Sequence, residues 1–184
     1  GTPNEVRALK GVNFTIDEGS WVCVIGTNGS GKSTLLNAIA GTFMLDDGKI
    51  QLAGTNITHW PEHRRAKLIG RVFQDPYRGT APSMTIAENV ALASKRGRFR
   101  GLGRALAGNR RDEFQALIAA MGLNLEGRLE NPMGTLSGGQ RQSITLLMAG
   151  MLRPSLLLLD EHTAALDPKS ADQVIRLTRE FIRQ

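Results

Sequence analysis

Two short stretches carry residue types whose spacing could do chemistry. The first is GTNGSGKST, Gly26 to Thr34, a glycine, four residues and then Gly-Lys-Ser. Gly26, Gly29 and Gly31 permit backbone dihedrals that turn successive N–H groups onto one centre, and a polyphosphate is the ligand such a ring of donors fits. Thr27, Asn28, Ser30 and Thr34 belong to the same loop and are counted with it as phosphate-contacting residues. Lys32 would place a full charge on the terminal phosphates, and the Ser33 hydroxyl is a suitable oxygen ligand for Mg²⁺. The second stretch is LLLLDEHTAALDP, residues 156–168. Asp160 is expected to hold Mg²⁺, directly or through water, and Glu161 to orient and deprotonate an attacking water. His162 follows at once and reads as a local structural residue at the strand's exit.

Elements must position these groups. Alternation in VRALKGVNFTID and the apolar run SWVCVIG predict strands entering the glycine loop. LLNAIAGTF predicts a helix leaving it and ending at Gly41. Strand, loop and helix together give the phosphate motif its context, with the helix N-terminus adding partial positive charge. DDGKIQLAGTNIT predicts a hairpin with Asp47-Gly48 as turn residues. LIGRVFQD predicts a strand, and Thr85-Ile-Ala-Glu88 a capping box opening a helix toward Ser94. Residues 111–121 are helical in pattern, with Phe114, Leu117, Ile118 and Met121 on one face and Gly122 as the stop. LSGGQRQSITLLMAGML predicts a helix to about Leu152, halted by Pro154. SLLLLD is apolar throughout, as a parallel strand covered on both faces should be. Asp167-Pro168 starts the last helix. The alternation of elements indicates an α/β layered domain, and parallel strands would bring the acids and the glycine loop to one edge of the sheet.

Composition narrows the class. No apolar run approaches the ~20 residues a membrane-spanning helix needs. A single cysteine, Cys23, leaves no internal disulfide, fits a reducing compartment and reads as a small buried hydrophobe. The chain holds 23 Lys and Arg against 17 acids, but seven of those bases lie in residues 95–111, leaving 16 against 17 elsewhere. That segment reads first as a solvated loop, second as a contact with a membrane surface or an acidic partner, and third as a nucleic-acid contact, since only Phe99 interleaves. His59 and His63 read as part of a basic surface turn in THWPEHRR, with Trp60 packed on the hairpin.

LSGGQ, Leu136 to Gln140, adds an anion site without a lysine: a hydroxyl and free N–H groups at a helix start. With GTNGSGKST before it and LLLLDEHTAALD after it, the chain resembles the ATP-binding subunit of ABC transporters over nearly its whole length. The resemblance implies a P-loop NTPase core with a mostly parallel sheet, a small antiparallel β part near the N-terminus and an inserted helical subdomain. Residues 1–83 and 153–184 would form the core lobe of one domain, with about 84–152 as the helical signature subdomain. It implies ATP and Mg²⁺ as cofactors and hydrolysis by Glu161, Gln74 and Lys32, with Ser33, Gln74 and Asp160 at the metal. It also implies a head-to-tail homodimer in which Ser137, Gly138, Gly139 and Gln140 close on the nucleotide of the opposite subunit and Asp167 crosses the interface.

By the same resemblance, a transmembrane permease subunit would dock around Gln74–Thr85, with Tyr77, Arg78 and Met84 as contacts. The protein would sit peripherally on the cytoplasmic face of the membrane, with no specific nucleic acid as partner. A soluble ABC protein acting on DNA, chromatin or the ribosome is the competing class, and a regulatory module that binds nucleotide without turnover is a third. DEHTAALDP and QDPYRGTAPSMTIAENVAL resemble bacterial uptake systems, which points to import and to amino-acid-like substrates. Two departures stand out. No aromatic precedes the cradle within residues 1–13 to stack on adenine, Phe14 and Trp21 being assigned to the core, and the chain ends in REFIRQ, inside a helix, before the next strand, after which the family places its switch histidine. The chain is therefore expected to be a trimmed piece of a longer subunit, lacking strands at both ends and slower in hydrolysis.

Overall fold

The protein is described by a computed structural model covering residues 8–97 and 109–183, with side chains to Glu180. Most of the basic segment lies in 98–108, outside the described residues. In chain order the elements are α1 (Lys32–Ala40), the hairpin β1 (Gln51–Leu52) and β2 (Thr55–Asn56), α2 (Glu62–Arg65), β3 (Ile69–Val72), α3 (Ile86–Ser94), α4 (Arg110–Ala119), α5 (Gly138–Gly150), β4 (Leu156–Leu159) and α6 (Pro168–Arg183).

The β3–β4 pair is parallel, with Ile69 opposite Leu156 and Val72 opposite Leu159. Its two faces serve two cores, as the period-2 alternation of strands requires. Ile69 and Leu158 pack with Ala40 and Ile57 on the α1 side. Val72 packs with residues of α3, α4, α5 and α6 on the other, where Leu157 and Leu159 also contact the cluster. The leucine run is thus covered on both faces, as its uniform hydrophobicity predicts. α5 lies close behind β3: a Cβ at Gly70 would stand 2.5 Å from the Ala149 carbonyl oxygen, so glycine is what the approach admits.

The helices start where their caps predict. Thr85 Oγ1 accepts from Glu88 N while Glu88 returns a bond to Thr85 N, and Ser137 and Gln140 do the same for α5. Every residue of α5 except Gly138 and Gln140 is buried. The buried hydroxyls of Ser143 and Thr145 donate back to the carbonyls of Gly139 and Arg141, both at 2.9 Å, so none is left bare. In α4, Phe114 and Ile118 face inward together with Met121 just beyond it, whereas Leu117 stays exposed.

Several expectations are corrected. The hairpin turns at Ala53-Gly54, with φ of 48° and 75°, the paired positive values a two-residue connection of twisted strands needs. Asp47-Gly48 forms an earlier bend in which Asp47 Oδ1 accepts from Gly48 N at 2.7 Å. α5 ends at Gly150 rather than Leu152. The stretches around VNFTID and WVCVIG join no strand ladder among the described residues, and Phe14, Trp21 and Cys23 are exposed rather than core. Alternation only marks two faces, and a strand forms when a neighbour takes its N–H and C=O groups. THWPEHRR is only partly a surface turn: His59 and His63 are exposed, but Arg65 is fully buried.

Arg65 explains how α1 is held. Its guanidinium donates to the carbonyls of Ala38 (2.7 Å) and Ile39 (2.8 Å) at the end of α1, and to Trp60 (2.7 Å) and Thr58 (2.8 Å). The last carbonyls of a helix lack intrahelical partners, and a cation there also meets the negative end of the dipole. Gly41 follows with φ 82° and packs so close to Arg65 that a Cβ would stand 2.8 Å from Nε.

Candidate functional site

The glycine loop enters α1 through two left-handed glycines, Gly29 (φ 79°) and Gly31 (φ 95°). Gly31 is the N-cap and provides no side-chain acceptor, so the first amides of α1 are left for another partner. Lys32 folds back over the loop, its Nζ donating to the carbonyls of Gly26 (2.7 Å) and Thr27 (3.0 Å). The ammonium therefore stands within the ring of backbone groups. Ser33 is exposed in the first turn of α1.

The ends of β3 and β4 supply the second half. Asp160 N donates to Val72 O at 3.1 Å, extending the ladder by one residue and fixing the acid beside the chain that leads to Gln74. Gln74 Nε2 then donates to Glu161 Oε2 at 3.1 Å, joining residues 87 positions apart. Glu161 itself has φ 43°, a left-handed conformation that costs a residue with a Cβ about 1–2 kcal/mol. A tight turn follows, with Ala164 N donating to Glu161 O at 2.9 Å. Gln74 and Glu161 are exposed, and Asp160 is half-buried.

Other expected site residues take these places. Ser137 and Gln140 spend their side chains capping α5, leaving Ser137 and Gly138 exposed at the helix start. Gly139 is buried, and a Cβ there would collide with the side chain of Ser170 on α6. Among the described residues no hydrogen bond joins Ser137–Gln140 to Gly26–Thr34. Asp167 is exposed and accepts from Ser170 N at 3.1 Å at the start of α6. The Ser170 hydroxyl, then its backbone N–H, holds the Asp167 carboxyl below its usual range. His162 is half-buried in a cavity with Trp21, Thr163, Ile175 and Arg179, and burial pushes its pKa down.

A groove between β3, α3 and α5 is lined by Phe73, Arg78, Asn89, Arg96 and Met148 among others. Tyr77 is exposed at 57% yet has the Arg141 guanidinium over its ring, 3.8 Å from the centroid. Arg78 lies over Phe73 and Met84 is half-buried. Sequence reasoning passed over four residues that shape this region. Asn89 clamps the preceding loop, accepting from Ala81 N (2.8 Å) and donating to Ala81 O (3.0 Å) and Thr85 O (2.9 Å). Gln142, buried on α5, donates to Phe73 O at 3.0 Å, one residue before Gln74. Arg71 joins α1 to Asp160, and Arg141 donates to Gly134 and Leu136. For Asn89 and Arg71 the available signal is a polar residue at a position the element's period places inward; on α5, buried nearly all round, period singles out neither Arg141 nor Gln142.

A phosphate cradle at a helix N-terminus, with acids at the end of an adjoining parallel strand, defines a P-loop nucleotide hydrolase. Residues 9–164 match the ABC transporter family, and the chain belongs to it. It is 43% identical over 184 residues to a tyrosine transport ATP-binding protein of Clostridioides difficile, spanning all of this chain and 72% of that protein. It is 38% identical to the lipoprotein-releasing system ATP-binding protein LolD 1 of Caulobacter vibrioides, over 98% of this chain and 75% of that one. Its fold superposes with a TM-score of 0.77 on the dimeric post-hydrolysis ATP-binding cassette MJ0796 bound to ADP and Pi, at 30% identity over 95% of this chain and 75% of that one. The protein is an ABC ATP-binding subunit and an ATPase that serves transport.

Proposed function

We propose that this subunit hydrolyses MgATP at a composite site in a homodimer and so drives a permease from the cytoplasmic face of the membrane. The observation that carries the catalytic reading is the bond from Gln74 to Glu161, which gathers an amide and an acid beside Asp160 at the ends of two adjacent strands. Lys32 and the free amides at the start of α1 bind the β- and γ-phosphates. The donors fit a hard cation: the Ser33 hydroxyl, the Asp160 carboxylate and the Gln74 amide oxygen, whose nitrogen is turned to Glu161. Bound there, Mg²⁺ neutralises charge on the phosphate oxygens. Glu161 orients a water and takes its proton as it attacks the γ-phosphorus, the bond to the bridging oxygen breaks, and ADP leaves.

The exposed N-terminus of α5, with Ser137 and Gly138, contacts the nucleotide of the second subunit, a reading supported by the dimeric cassettes of similar fold. Residues 84–152 act as the helical signature subdomain, and the permease docks on the groove beside Gln74–Thr85. An amino-acid-like cargo is favoured by the similarity to the tyrosine transport protein, and uptake by the resemblance of DEHTAALDP and QDPYRGTAPSMTIAENVAL to bacterial uptake systems.

Glu161→Gln tests the catalytic core. Turnover is expected to fall at least about 100-fold, since the base is lost, while ATP affinity changes less than about three-fold. Light scattering under ATP should then show a dimer. Turnover within a few-fold of wild type overturns the assignment of Glu161, and a monomer under ATP overturns the composite site.

A further inference from the structure

Arg71 stands on β3 at a position the strand's alternation reserves for an apolar side chain. Ile69, two residues earlier on the same face, is buried in the cluster beneath α1. The Arg71 side chain is only 12% exposed. Its Nη2 donates to Asn37 Oδ1 on α1 at 2.6 Å, and its Nη1 to Thr42 Oγ1 just after α1 at 3.2 Å. The same Nη2 lies 3.7 Å from Asp160 Oδ2, and the guanidinium lies over Phe73, 4.5 Å from the ring centroid. Three partners and one ring surround a single planar fork, a geometry an ammonium cannot reproduce.

The distances rank the attachments. The short bond is to α1 and the longer approach is to the acid, so the cation is anchored on the helix and presented to Asp160. Asn37 lies one helical turn beyond Ser33, on the same face of α1. We propose that Arg71 is a positioning residue that fixes the Asp160 carboxylate relative to α1, and through it the spacing between Asp160 and Ser33 on which metal affinity depends. This rests on the reading that those two residues share Mg²⁺.

A fixed cation near a metal site has an opposite effect as well, since it repels the ion. The attachment favours positioning. Arg71 approaches Asp160 as an ion pair through Oδ2 at 3.7 Å and is itself held by neutral acceptors on and just after α1, and outer-shell groups that orient a metal-ligating carboxylate raise metal affinity.

The test is calorimetry of ATP binding to the purified protein, in EDTA and across a Mg²⁺ titration. Arg71→Met is expected to raise the Mg²⁺ concentration for half-maximal enhancement about ten-fold, the lower end for loss of such a partner, while ATP affinity in EDTA stays within about two-fold. Arg71→Lys should recover less than half of that shift, because charge alone does not restore the fork. Asn37→Ala cuts the anchor and keeps the charge, so it tests the idea even if Arg71→Met does not fold; a shift of about three-fold in the same direction is expected. An unchanged Mg²⁺ requirement in both variants overturns the proposal. So does a lowered one, which would show that repulsion dominates. Asp160→Asn separates the failures. A normal Mg²⁺ response in that variant sinks the metal reading itself, whereas its loss beside a normal response in Arg71→Met and Asn37→Ala sinks only the role of Arg71.

Discussion

The stretch from Val12 to Ile25 and the helix α5 are both rich in apolar residues, yet they end in opposite situations. α5 is buried almost throughout, whereas Val12, Phe14, Trp21, Val22, Val24 and Ile25 are all exposed, Ile25 at 89%. The difference lies in where each finds its hydrogen bonds. A helix satisfies its backbone internally and needs only a surface to pack on, while a strand needs a second strand before its apolar face has anywhere to go. The glycine loop itself does not depend on that pairing. Gly29 and Gly31 adopt their left-handed values, and Lys32 closes over Gly26 and Thr27, while the described residues before them, 8–25, join no ladder.

Three measurements can break or sharpen this contrast. α1 is the element that ties the exposed side to the packed body, and Arg65 is its anchor. Arg65→Met should lower unfolding free energy by about 3–5 kcal/mol in urea titrations, because the carbonyls it serves lose charged donors and stay buried. A loss under about 1 kcal/mol would mean that α1 is held by apolar contacts alone. The second measurement is amide exchange on the 184-residue chain. Amides of Trp21–Ile25 should exchange at least about 100-fold faster than those of Ile144–Met148, since they have no ladder partner among the described residues. Equal protection would erase the distinction between the two regions.

The smallest expected effect is at His162. Burial lowers its pKa below the unfolded value of about 6.5, so the unfolded chain binds more protons as pH falls. Its contribution to stability is fully present above about pH 6.5 and is lost as pH drops below that value. Urea midpoints for His162→Gln and wild type should keep a constant difference above about pH 7, with wild type falling faster below 6.5. Parallel curves would place His162 in solvent.

What could be read from the sequence follows the same division. Features set by local chemistry are legible: the capping box at Thr85–Glu88, the glycine stop at Gly41, the leucine strand and its two acids, whereas the second capping box, Ser137 with Gln140, emerges only from the structure. Features set by distant partners are not. Nothing local tells that Arg65 lies buried in a run of charged residues while Arg64 stays outside, or that Gln142 reaches back to Phe73. The hairpin turn was misplaced because Asp47-Gly48 and Ala53-Gly54 both offer a glycine with positive φ, and only the pairing of Gln51 with Asn56 decides between them. Phe14 and Trp21 read as core because they stand in a strand pattern close to the glycine loop, and such a pattern does not say whether a covering layer arrives.

Glu161 carries a last consequence. Its φ of 43° is a conformation glycine would adopt without penalty, yet the position holds a long acidic side chain instead. Substitutions that relax a backbone usually stabilise, so stability alone would favour replacing this residue. That makes the backbone a marker of its own. Ala53, Asn124 and Arg153 share such a φ, but Glu161 is the acid among them, and an acid so held directly after a parallel strand points to a place where this chain gives up stability for something other than folding.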